Sequence, residues 1–151
     1  MKASPMDPIT DSVIDTVAKY FYFSCLDEQV SFAASLRVLS ELRGKNQLEI
    51  KHRDRWVEVL AKWKQRLPSL HGRAWADKRD QRGFQIPPGF DMGAWMTFIA
   101  SCEPTEVEAV LLSRLLGFND EEIAAGLGVT VGTVRYRVGR GLRHLGGFLE
   151  P

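Results

Sequence analysis

Twenty-seven residues from Asn119 to Leu145, NDEEIAAGLGVTVGTVRYRVGRGLRHL, constrain the fold more than any other part of the chain. Asn119 is a helix-capping residue, and Asp120, Glu121 and Glu122 fill the turn after it, where carboxylates meet exposed amides and the positive end of the helix dipole. Ile123, Ala124 and Leu127 form the inward side of this first helix. Small Ala124 admits a second backbone at close range, and Gly128 stands where the chain must turn sharply. Val129 points back inside. Thr130 caps a second helix, in which Val131, Val134, Val138, Leu142 and Leu145 recur at steps of three and four and make one buried stripe.

Opposite that stripe, Tyr136 and Arg140 project most directly outward, with Gly132, Thr133 and Arg143 beside them and Arg135 and Arg137 on the flanks. This helix carries four arginines and no acid. A guanidinium fork binds a phosphate or the O6/N7 edge of guanine with two bonds, and a tyrosine stacks or reaches a phosphate. A lone basic helix is usually a solvated face. An acidic helix, a glycine turn and a basic helix in succession form instead the helix-turn-helix pattern that presents its second helix to the DNA major groove.

The segment EPTEVEAVLLSRLLGFNDEEIAAGLGVTVGTVRYRVGRGLRHL resembles region 4, the C-terminal promoter-binding domain of bacterial sigma factors, and is most similar to the small extracytoplasmic-function group. The resemblance is most specific in EEIAAGLGVTVGTVRYRVGR and covers residues 94–151. It implies that this helix enters the major groove of the promoter's upstream element. By position, Arg135, Tyr136 and Arg140 would read bases or phosphates, Thr130 and Thr133 would touch the DNA backbone, and Arg143 belongs to the same DNA-binding set. The family also grips a flap of RNA polymerase, for which Leu112 and Leu116 are candidates, although ordinary burial accounts for both. Gly139 and Gly141 stand where the family more often has larger residues. A helix-interior glycine costs about 1 kcal/mol relative to alanine, so weakened DNA affinity is expected.

The chain of 151 residues, 44% hydrophobic, suits one domain or two small ones with a packed core. Neither a secretory signal nor a membrane-length apolar run is present in it, so a cytoplasmic protein with no membrane association is expected. Cys25 and Cys102 lie far apart, which fits reduced thiols. His52, His71 and His144 have no Cys or carboxylate at ligand spacing, and no metal or other cofactor is predicted. Net charge is +1, but residues 1–42 carry −3, residues 43–82 carry +7 and residues 83–151 carry −3. A basic middle suits phosphates or an acidic protein surface, or is simply solvated.

In chain order, Met1 to Met6 is expected to be a disordered lead, and Asp7-Pro8 a cap with proline at the first helical position. Val13, Ile14, Val17 and Phe21 give the first helix an apolar side. A second helix after Leu26-Asp27 runs to about Arg43 with Phe32, Leu36 and Leu39 inward and Gly44 at its end. A third is predicted from about Gln47 to Leu67, opened by a capping box of Asn46 and Glu49. Its Trp56, Leu60, Trp63 and Leu67 make a stripe that packs on the first two helices; the alternative is that Trp56 and Trp63 stack on single-stranded DNA bases. FSCLDEQVSFAASLRVLSEL and RDRWVEVLAKWKQRL more distantly resemble the sigma domain that docks on polymerase and opens promoters. Asp27, Glu28 and Glu41 are the acids available there, fewer than the family's pattern has.

Pro68 closes the third helix. The segment from His71 to Gly93, with Pro87-Pro88, is a linker, with a short helix around Ala74 to Gln81, and Trp75, Phe84, Ile86 and Phe90 are expected to dock on a domain or a partner. Trp95, Phe98 and Ile99 then form an apolar patch, Glu103-Pro104-Thr105 restarts the helix, and Val107, Val110, Leu111 and Leu115 line it up to Gly117. The chain has no catalytic constellation, phosphate-binding loop or nucleophile elbow.

The expected fold is therefore all-α: a three-helix bundle at residues 7–68, which the more distant resemblance makes a shortened region 2-like domain, a linker at 69–93 and a region 4-type helix-turn-helix domain at 94–151. The expected function is a non-enzymatic, sigma-like transcription initiation regulator whose partners are promoter DNA and core RNA polymerase. The alternative is a sigma-like regulator that binds polymerase or an anti-sigma factor without reading promoters itself.

Overall fold

A computed structural model describes residues 8–67 and 89–148, with side chains from residue 12 onward. The chain divides into two compact units, residues 1–84 and 85–151. The expected lead, the Asp7 cap, Pro68, Trp75, Phe84, Ile86 and the short helix around Ala74 to Gln81 lie outside the described residues.

In the first unit, α1 (Pro8–Cys25), α2 (Glu28–Gly44) and α3 (Arg53–Arg66) pack together, with a 3₁₀ turn over Ile50–His52. The core takes Val13, Val17, Tyr20 and Phe21 from α1, Ala34, Val38 and Leu42 from α2, and Trp56, Val57 and Leu60 from α3. Leu26 adopts φ 56, and Asp27 then caps α2 by accepting from the Val30 amide at 2.9 Å. A two-residue joint between α1 and α2 makes them antiparallel neighbours.

The inward side of α2 differs from expectation. Ser31, Ala34, Ser35, Val38 and Leu42 are buried, while Phe32 and Leu36 are 67% and 53% exposed. The two serines can be inside because each hydroxyl donates to the carbonyl four residues back, Ser31 to Asp27 and Ser35 to Ser31, both at 2.6 Å. Small side chains let α2 approach its neighbours, and the large apolar ones are turned outward.

The predicted capping box of Asn46 and Glu49 does not form. Asn46 instead occupies the left-handed region at φ 58, with its amide donating to the Arg43 carbonyl and that of Gln47 to Leu42. These are the two bonds of a Schellman stop for α2, with asparagine in the position usually given to glycine. Gly44 is the last helical residue, and α3 begins only at Arg53.

The stripe on α3 is split. Trp56 is fully buried and its indole nitrogen donates to the Gln47 carbonyl at 2.8 Å, so neither face is open to a base. Trp63 is half-buried between Arg37 and Arg66 and donates to Glu41 Oε1 at 2.8 Å. Lys45 and Lys62 also donate to Glu41. Burial pushes the Glu41 carboxyl up, but the hydrogen bonds from Lys62, Lys45 and Trp63 and the charge of Lys62 outweigh it and hold the pKa at about 2.

In the second unit, Asp91 caps α4 (Met92–Ser101) through the Ala94 amide, so this helix begins inside the stretch expected to be linker. Phe90 sits against Trp95 with ring centroids 6.3 Å apart. Pro104 opens α5 (Pro104–Val110) at a position where its missing amide costs nothing. The helix widens into a π-helical turn over Leu111–Leu115, followed by α6 (Asp120–Leu127) and α7 (Val131–Gly146). Trp95, Phe98, Val107, Val110, Leu111, Leu112, Ile123, Val134 and Val138 form the core. Leu112 is completely buried and cannot grip a partner, whereas Leu116 is half-exposed.

Candidate nucleic-acid interface

Each bend of the α6–α7 pair has a local cause. Asn119 Oδ1 accepts from the Glu122 amide at 2.7 Å while Glu122 Oε1 accepts from the Asn119 amide at 2.9 Å, a reciprocal capping box. Gly128, at φ 71 and ψ 34, ends α6 in the left-handed region, where a side chain would be strained. Val129 donates back to the Ala124 carbonyl, closing the turn. Thr130 then caps α7, its Oγ accepting from the Thr133 amide at 3.0 Å and donating to Thr133 Oγ at 2.9 Å.

Val134, Val138 and Gly141 face inward on α7, and Val131, Leu142 and Leu145 lie half-buried beside them. The expected alanine-sized penalty at Gly141 has a structural reason. A Cβ there would fall 3.2 Å from the Glu106 carbonyl and 3.4 Å from Phe98 Cζ, besides clashing with Val110, so α7 lies against α5 and α4 at a distance only glycine permits. Gly139 has open space, with only Arg143 Nη1 nearby at 3.7 Å.

The outward face carries Tyr136, 62% exposed, together with exposed Arg135, Arg140 and Arg143 and half-buried Thr133 and Arg137. These arginines are not equivalent. Arg135 Nε pairs with Asp120 Oδ2 at 3.0 Å, bridging the start of α6 to α7. Arg140 Nε pairs with Glu106 Oε2 at 2.7 Å, and His144 Nδ1 lies 3.1 Å from the other carboxylate oxygen. Tyr136 and Glu106 both favour the charged guanidinium of Arg140 and raise its pKa. Arg143 has no ion pair among the described residues.

Of the predicted site, Thr130, Thr133, Arg135, Tyr136, Arg140 and Arg143 are thus brought together at one helix-turn-helix, while Trp56 and Trp63 belong to the other unit. Sequence reasoning missed Glu106. Its spacing on α5 resembles that of any exposed acid, and its burial follows from the close approach of α7 at Gly141.

The family model described as Sigma-70, region 4, matches residues 95–145. Those residues are similar to a sigma-70 region 4 domain. Neither the curated proteins nor the solved structures include a match. The region 4 family is a non-enzymatic, DNA-binding transcription-factor domain, and its helix-turn-helix corresponds here to α6 and α7. Among the described residues, no helix is long and apolar enough to cross a membrane, and no group of three or more His, Cys, Asp or Glu could hold a metal ion.

Proposed function

We propose that this protein is a sigma-like regulator of transcription initiation that binds promoter DNA through α7 and associates with RNA polymerase. The observation that carries this reading is the arginine-rich outer face of α7 within a region 4 domain. Arg143, free of ion pairs among the described residues, is a phosphate contact. Tyr136 and Arg140 face base edges. Thr133, whose hydroxyl proton is not committed to Thr130, and Thr130 at the helix N-terminus approach the DNA backbone, where exposed amides and the dipole favour phosphate. Arg135 stabilises the turn through Asp120 and can reach a phosphate with its remaining nitrogens.

The test is purification of the full chain with core RNA polymerase and transcription from a random promoter library. An enriched upstream element, lost with Arg140→Ala, is the expected result; absence of any enriched sequence overturns promoter reading.

A second reading, a regulator that acts by binding proteins, is supported by the first unit. Exposed Leu36 lines a groove with Val13, Ile14, Leu39, Arg43 and Leu48, of a kind that receives an amphipathic helix. Polymerase or anti-sigma binding that survives without an enriched promoter, and is lost with Leu36→Ser, would favour it.

A further inference from the structure

Glu106 lies on α5, behind the recognition helix, and its side chain is 6% exposed. An acid this buried needs partners, and both of its partners come from α7. One carboxylate oxygen takes Arg140 Nε at 2.7 Å and the other meets His144 Nδ1 at 3.1 Å. A second, independent feature places it there. Gly141 sits between Arg140 and His144 in sequence, and its missing Cβ lets α7 approach to where that Cβ would stand 3.2 Å from the Glu106 carbonyl oxygen. The close approach and the ion pair fix the same point of α7.

The consequence for Arg140 is chemical. A free arginine on a helix surface samples many rotamers and is drawn to the nearest phosphate by its charge. Arg140 has its Nε held and its charge balanced by a buried carboxylate, yet 46% of its side chain remains exposed. A guanidinium has five N–H donors, so nitrogens beyond Nε remain to form directional bonds. Tyr136 lies one turn earlier on the same helix face. Neutralised charge weakens the sequence-independent pull of phosphates, while fixed geometry strengthens discrimination between base edges.

We propose that Glu106 is a positioning residue for DNA recognition, which holds Arg140 in the orientation that discriminates one sequence from another at the expense of phosphate attraction. The proposal rests on the promoter-binding reading above.

The experiment uses the full chain with core RNA polymerase, the duplex that the unaltered protein enriches from a random library, and a shuffled duplex of equal length, each over a salt series. Glu106→Gln keeps volume and an acceptor but removes the charge. The expected result is that the preference for the enriched duplex falls about tenfold, while binding to the shuffled duplex strengthens and its log–log salt slope steepens by about one phosphate's worth. In an Arg140→Lys background, which keeps the charge and loses the fork, Glu106→Gln should no longer alter the preference. An unchanged preference in Glu106→Gln, or an effect that persists in the Arg140→Lys background, overturns the positioning role alone. Failure of the unaltered protein to enrich any duplex overturns promoter binding and the positioning role together. Should Glu106→Gln fail to fold, Glu106→Asp, which keeps the charge but withdraws it by one methylene, is expected to show the same loss of preference without the stronger shuffled binding, and an unchanged preference there overturns the proposal equally.

Discussion

A Cβ placed on Gly141 would stand 2.6 Å from Cγ2 of Val110, closer than packed carbon atoms come. Gly141→Ala must therefore push α7 off α5. The helix-propensity gain of about 1 kcal/mol is outweighed by overpacking, and the expected net loss is about 1 to 2 kcal/mol in denaturant unfolding of the second unit.

Gly139 is the control for that effect. Nothing but the end of Arg143 lies near its would-be Cβ. Gly139→Ala is expected to stabilise the same unit by about 0.5 to 1 kcal/mol, read as a higher unfolding midpoint.

Removing the cap of α6 should cost about 1 kcal/mol, because Asn119→Ala orphans the Glu122 amide, while the backbone amide of residue 119 can still donate to Glu122 Oε1. Faster hydrogen exchange at the Glu122 amide, ahead of global unfolding, is the diagnostic signal.

Glu41 predicts a pH dependence for the first unit. Its carboxyl has an ordinary pKa of 4.5 and is held at about 2 in the fold. A depressed carboxylate contributes stability that is fully present above pH 4.5 and is lost as the pH falls toward 2. Glu41→Gln should lower the melting temperature at pH 7, by an amount corresponding to roughly 1 to 2 kcal/mol, and should flatten its decline between pH 4.5 and 2.

On the promoter-binding reading, Arg143 and Arg135 should differ in their effect on the salt dependence of DNA binding. Arg143→Ala is expected to reduce the log–log slope by about 0.9, the release of one phosphate's counterions. Arg135 is already balanced by Asp120, so Arg135→Ala should change the slope less.

The local chemistry of the helix-turn-helix was legible because each signal acts within a few residues. Asn119, Gly128 and Thr130 cap or turn the chain through their own neighbours, and the valines of α7 declare its inner side by spacing alone. The inner side of α2 was not legible in that way. Phe32 and Leu36 repeat at helical spacing, yet the side that meets α1 and α3 is the one bearing Ser31, Ala34 and Ser35, and only tertiary packing chooses between two such stripes. Asn46 likewise carries two local meanings, helix start and left-handed stop, and the bonds from Asn46 and Gln47 back to α2 select the second. Glu106 was invisible for a further reason: its partners are 34 and 38 positions away, and no periodicity on α5 announces them.

The π-helical turn at Leu111–Leu115 closes with the Leu116 amide on the Leu111 carbonyl, five residues back. Such a turn holds one residue more than an α-helical turn of the same kind. The second unit can therefore absorb a change of chain length inside a helix, upstream of Phe118 and Asn119. Loss of one residue near Ser113 would let the bulge relax to α-helical bonding. Insertions and deletions in such a domain need not be confined to its loops, and a one-residue gap at this point is compatible with the same recognition surface.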